Sequence, residues 1–190
     1  VQAAAIIAIS MPVSTSYAAA PDPNWHVVKT QYKTDDYVIA GYEAKDFGIS
    51  ANGRTDVTEK IQTALDELYK IGGGTLFLPA GRYVVKGTLK IPQGVILAGD
   101  WQSPDENNGK AAGTILMAYS GRGENDINDN YDSETENMPF ITLEPNASIK
   151  GINIWYPEQA PDNIVPYPTT IRMYDPKTWG ADSTRISNLT

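Results

Sequence analysis

Asp100, Glu158 and Asp175 are the carboxylates best placed for chemistry, because each follows a strand-like run and would stand on an outer face. Cysteine is absent and His26 is the only histidine. A Ser-His-Asp triad would have to use His26. That residue lies in a proline-containing stretch near the N-terminus and reads as an exposed linker side chain. No thiolate or histidine cluster is left for zinc. The chemistry open to the chain is therefore that of carboxylates, Tyr, Lys and Arg. The three candidate carboxylates show no paired spacing, and a turn or loop role is the plainer reading of each.

A second acidic group lies in the insertion 121–138. Residues 124–136 hold six carboxylates and neither Lys nor Arg. Asp126, Asn128, Asn130 and Asp132 alternate as calcium ligands do in a binding loop. Tyr131, however, stands where such a loop needs glycine, and Asn137 where it needs a bidentate Glu. A solvated loop and a calcium site both remain open, and no other cofactor is implied. Long loops on a rigid scaffold are where binding function concentrates.

The stretch that must position these groups runs from 46 to 99. Val57, Ile61, Ala64, Leu65 and Leu68 fall on one face of a 3.6-residue period, with charged and polar residues opposite. Asp56 is the expected N-cap, with Glu59 three residues on to complete a capping box. Asp66 and Lys70 form an i, i+4 pair, and Gly72, Gly73 and Gly74 end the helix. Short runs rich in Leu, Val, Ile and aromatics follow at 75–78, 83–85, 88–91 and 95–98, split by Pro79-Ala80-Gly81, Lys86-Gly87 and Pro92-Gln93-Gly94. These gaps are too short for helical crossovers, which need about a dozen residues. The remaining choices are an antiparallel sandwich or barrel, or a coiled solenoid whose successive strands lie on different faces.

The pattern DFG-x(4)-G-x-TD-x-T-x-x-IQ-x-A, then GGG-x-L-x-LPAG-x-Y, then L-x-IP-x-GV-x-L-x-G resembles the opening of the pectate-lyase-like right-handed parallel β-helix superfamily. It is carried by Asp46, Phe47, Gly48, Gly53, Thr55, Asp56, Thr58, Ile61, Gln62, Ala64, the triple glycine, Leu78, Pro79, Ala80, Gly81, Tyr83, Pro92, Gly94 and Gly99. The resemblance implies an all-β solenoid, a right-handed parallel β-helix with an N-terminal capping α-helix. In that superfamily this region builds the cap and first coil and does not hold the catalytic groups. A stack of coils has an open end, which an amphipathic helix would cover.

Further β-type runs at 114–117, 140–143, 148–156, 169–174 and 184–190 supply the later coils. The last run reaches Thr190 without a stop signal, so the expectation is the N-terminal portion of a longer protein, truncated at its C-terminus. Residues 1–20 are uncharged, with a short apolar run, Pro12 and a small-residue end, and read as the remnant of a secretory signal peptide, hence a secreted protein. That run is too short to span a bilayer. Residues 21–41 read as a lead-in linker and 42–190 as the β-helix domain.

The 190 residues carry a formal net charge of -8, with a pI near 4.6. That sign disfavours nucleic acid, whose binding rests on Lys and Arg. The resemblance implies a polysaccharide substrate. Hydrolysis would need two carboxyl groups flanking the glycosidic bond. Elimination would need a base at the uronate α-proton and cations on its carboxylate. The expectation is polysaccharide cleavage, by hydrolysis ahead of elimination, with catalytic groups on later coils. The alternatives are a noncatalytic glycan-binding or adhesive β-helix and a tailspike-like domain. Trp155, Tyr156 and Trp179 would form the sugar-stacking surface, unless they serve packing.

Overall fold

The computed structural model describes residues 20–34, 37–123, 138–173 and 184–190. After β1 (His26–Val27) and β2 (Ile39–Ala40), the chain winds in successive turns. The first turn holds β3 (Tyr42–Glu43), β4 (Asn52–Asp56) and helix α1 (Thr58–Lys70). The second holds β5 (Gly74–Leu78), β6 (Gly81–Val85) and β7 (Leu89–Ile91). The third holds β8 (Val95–Gly99), a short excursion β9 (Trp101–Gln102), β10 (Ala112–Ala118) and β11 (Ile141–Leu143). The fourth holds β12 (Ser148–Trp155) and β13 (Ile171–Arg172), and β14 (Arg185–Leu189) begins the next.

From β3 on, every strand except β9 pairs in parallel with its equivalent one turn away, while β9 pairs antiparallel with β10. This removes the antiparallel alternative and explains the short gaps. Consecutive strands lie on different faces, so their connections need only turn a corner. The first face stacks β3, β5, β8, the start of β12 and β14; the second stacks β4, β6, β10 and the end of β12; the third stacks β7, β11 and β13. The architecture is a mostly parallel β-structure coiled around one core, with a single α-helix among the described residues.

Register makes that core continuous. Tyr42, Leu76, Leu97, Ile149 and Ile186 stand in one column on the first face. Tyr83, Leu116 and Ile154 form a column on the second face, and Leu89, Ile141 and Ile171 one on the third. Leu76, Leu97, Leu116, Ile141 and Ile149 are fully buried. Such interiors lose about 2–5 kcal/mol per Leu or Ile cut to Ala.

Helix α1 occupies the place in the first turn that β7, β11 and β13 take later. Its apolar stripe is the expected one: Val57, Ile61, Ala64, Leu65 and Leu68 are all buried. Its polar side meets the edge of the third face. Gln62 Nε2 donates to Lys90 O, and Lys90 N–H donates to Gln62 Oε1, both at 2.9 Å. One carboxamide thus supplies what a neighbouring strand would. Thr58 Oγ1 accepts from the N–H groups of Lys86 (3.0 Å) and Gly87 (3.2 Å).

Two local expectations are corrected. Val57, not Asp56, is the N-cap residue, and no side-chain capping bond forms there. Asp56 is drawn into β4 opposite Val84, and its Oδ1 instead accepts from Thr58 N–H, Thr58 Oγ1–H and Lys86 N–H. Lys70 pairs with Glu67, while Asp66 accepts from Gln62.

The corner between the first two faces depends on small residues. β12 crosses it unbroken, pairing with β8 through Ser148–Lys150 and with β10 from Ile152 on. Gly151 makes the bend at φ +67. A Cβ on Gly99, stacked beside it, would sit 2.4 Å from Gly151 O. Buried Thr114 ties the corner, donating to Leu78 O (2.6 Å) and accepting from Asp100 N–H (2.8 Å).

The lead-in packs rather than trailing. β1 and β2 pair antiparallel, and Val28, Val38 and Ala40 bury themselves against Phe77 and Ala98 on the outside of the first face. His26 is likewise engaged, bonded to Asn24 O and, at 2.8 Å, to Glu43 Oε1. The hydrogen bond to Asn24 O, then that to Glu43, raise the His26 pKa above its ordinary 6.5. Burial pushes the Glu43 carboxyl up, but hydrogen bonds from Lys45 and His26 outweigh it and leave the pKa lowered.

Two outcomes follow. Gln62→Ala should lower the unfolding free energy by about 1–2 kcal/mol, and a denaturant titration showing no change would exclude the strand-substitute role. The His26 contribution is complete below pH 6.5 and lost as pH rises through the raised folded-state pKa. Thermal stability should therefore fall across that window in the parent protein, and less so in His26→Gln.

Candidate functional site

The third face presents a short repeated pattern, one polar residue between two apolar ones. In Leu89-Lys90-Ile91 and Ile141-Thr142-Leu143 the outer residues are buried and the central one points outward. The strand period of two forces this alternation. Register then aligns Lys90, Thr142 and Arg172 in one outward column. Parallel neighbours lie about 4.8 Å apart, so the column sets two cations on either side of a hydroxyl at a regular pitch. Glu144, at the end of β11, pairs with Lys90 and accepts from Gln93 N–H at 3.0 Å.

Two connections from the second face to the third flank this column. The segment after β10 is joined to the one after β12 by Gly123 N–H donating to Pro166 O at 2.8 Å and by Arg122 Nε to Glu158 Oε2 at 3.3 Å. The Tyr167 and Tyr156 rings pack at a tilt of 57°, 4.6 Å between ring centres. Tyr156 Oη shares a hydrogen bond with Thr170 Oγ1 at 2.9 Å. Burial raises the pKa of both phenols, so both stay protonated at neutral pH.

The residues singled out from sequence scatter. Asp100 is not on an outer face: it is 2% exposed, at the corner between the first two faces. Its carboxylate accepts from the N–H groups of Gln31 and Tyr32, the latter at 3.2 Å, and so holds the lead-in against the coil. Glu158 is half-exposed and ion-paired with Arg122. Trp155 lies on the outside of the second face, 43% exposed, with the Arg82 guanidinium 5.7 Å from its ring centre. Tyr156 turns the other way, against Phe140 and Tyr167. These two aromatics therefore do not share one stacking surface. Asp175, Trp179 and the calcium candidates Asp126, Asn128, Asn130 and Asp132 lie outside the described residues. Among the described residues, no three His, Cys, Asp or Glu side chains gather as a metal site.

The Lys90–Thr142–Arg172 column escaped the sequence reading. The signal was present in the triplets Leu-Lys-Ile, Ile-Thr-Leu and Ile-Arg-Met. The column sets a hydroxyl between two cationic side chains, of which Lys90 is already shared with Glu144, and such groups can orient anions. The described carboxylates near it, Glu144 and Glu158, are ion-paired with Lys90 and Arg122.

The sequence model of the family described as rhamnogalacturonase A/epimerase, pectate lyase-like matches residues 42–163. Alginate lyase 7 of Azotobacter vinelandii is 45% identical over 56 residues, which are 30% of this chain and 6% of that protein. The tail spike protein of Shigella phage Sf6 is 35% identical over 134 residues, 67% of this chain and 19% of that one. In structure, the A-module of the Azotobacter vinelandii mannuronan C-5 epimerase AlgE4 superposes with a TM-score of 0.52 at 25% identity, covering 78% of this chain and 37% of the module. The chain thus spans only a small part of these proteins' length.

Asp100→Ala leaves two backbone N–H groups without their acceptor, and should cost about 2–4 kcal/mol of stability. A structural role predicts this loss in denaturant titration. A variant as stable as the parent would return Asp100 to the list of reactive groups.

Proposed function

The chain belongs to the rhamnogalacturonase A/epimerase, pectate lyase-like family, and we propose that it serves a secreted protein acting on an acidic, uronate-bearing polysaccharide received along the third face. The observation that carries this is the outward column Lys90–Thr142–Arg172. A polyuronate offers a carboxylate on each sugar, and cations repeated along a rigid sheet match such a chain. In this reading α1 is the cap of the stack and the described coils are a binding platform.

The reaction we favour begins at the carbon bearing the carboxylate. Cations on that carboxylate make its α-proton easier to remove, and β-elimination or inversion at that carbon can follow. Similarity to an alginate lyase and a mannuronan epimerase supports this class over hydrolysis. A second reading, glycan binding without turnover, is favoured by one observation. Each described carboxylate near the column is already engaged, Glu144 with Lys90 and Glu158 with Arg122.

The test is to incubate the intact protein with polymannuronate, polyguluronate, polygalacturonate and a neutral glucan. Unsaturated ends, new reducing ends and inverted sugar stereochemistry are then followed separately. Unsaturated ends or inversion on a polyuronate support the favoured reaction, and saturated reducing ends alone restore hydrolysis. Binding without any product supports the second reading. Arg172→Gln should weaken polyuronate binding or kcat/KM roughly tenfold, the loss of one charge-assisted contact. Action confined to the neutral glucan would overturn the assignment.

A further inference from the structure

A cleft of about 390 Å³ opens at the corner between the first and second faces, away from the Lys90–Thr142–Arg172 column. Four separate pieces of chain build it: the lead-in from Thr30 to Val38, the excursion from Gly99 to Glu106, the bend at Lys150 and Gly151, and Asn188 of β14. Its size falls in the lower part of the ~300–1,000 Å³ range of small-molecule sites. The bend is held by Gly99 against Gly151, where no Cβ fits. The lead-in wall is held by Asp100, which accepts from Gln31 and Tyr32 N–H. The cleft is therefore formed before any ligand arrives.

Its lining is chemically mixed in a telling way. Lys33 and Lys150 place two cations there in a chain of net charge -8. The Asp100 carboxylate is already satisfied by backbone donors, and Glu106 is exposed at the rim. Trp101 offers an indole tethered through Nε1 to Thr190 Oγ1 at 3.4 Å. Gln102 and Asn188 add amides suited to hydroxyl groups. An aromatic face, amides and cations together fit a ring bearing both hydroxyls and a carboxylate.

We propose that this cleft is a second saccharide site, taking one uronate unit or chain end of an acidic oligosaccharide. Here Lys33 and Lys150 meet the carboxylate and Trp101 stacks on the ring. The site stands on its own geometry, while the choice of a uronate also draws on the proposed function. Occupancy would tie the lead-in to the coil and hold a second stretch of polymer on the same molecule.

The test titrates the intact protein with uronate trisaccharides and with a neutral trisaccharide, reading heat and tryptophan fluorescence. The parent protein should show two classes of uronate site. Lys33→Gln, at an exposed position that should not disturb folding, should weaken one class roughly tenfold. Trp101→Phe should remove the fluorescence change belonging to that class. Arg172→Gln should weaken only the other. Unaltered binding in both Lys33→Gln and Trp101→Phe would overturn the second site, even if Arg172→Gln acts as proposed. Loss confined to the cleft variants would uphold it and remove the third-face reading instead. Equal affinity for the neutral trisaccharide would overturn the acidic ligand class.

Discussion

A stack of parallel strands must dispose of the row of N–H and C=O groups at its first edge. In this chain the solution is a side chain. Gln62 meets Lys90 through both its amide nitrogen and its amide oxygen, imitating one residue of a missing strand. Thr58 and Asp56 take the N–H groups at the adjoining corner. The apolar stripe of α1 packs into the same core cluster as the inward residues of the strands that follow. An edge left open would be a template for pairing with another chain.

Much of this architecture was legible. The stripe from Val57 to Leu68 and the runs that became β5 to β8 follow from periodicity and glycine or proline punctuation, and the structure places them within a residue or two. β4 was hidden because Asn52–Asp56 has no apolar member; it pairs by backbone alone, with a shift in register. β1 and β9 are two residues each, too short to carry a pattern. The cap at Asp56 was misplaced because residue type suggests a cap without revealing that β4 would claim the same residue.

The site was less legible, for a reason that Asp100 makes plain. A carboxylate after a strand looks like an exposed reactive group, yet its partners are backbone donors at Gln31 and Tyr32, far away in sequence. No local rule reports such a pairing. Lys90, Thr142 and Arg172 are the reverse case. Each looks ordinary alone, and only the parallel register, with a long and variable connection between turns, shows that they form a line.

That line persists although the turns differ greatly in length. The connection from β6 to β7 is three residues, Lys86 to Thr88, whereas β10 and β11 are separated by residues 119–140. Even so, β11 returns to pair Ile141 with Leu89 and Thr142 with Lys90. Buried apolar neighbours on either side of the central residue enforce the return, since a slip of one position would turn Thr142 inward and expose Ile141 and Leu143. Insertions can therefore alter the walls of the third face without disturbing the pitch of its floor.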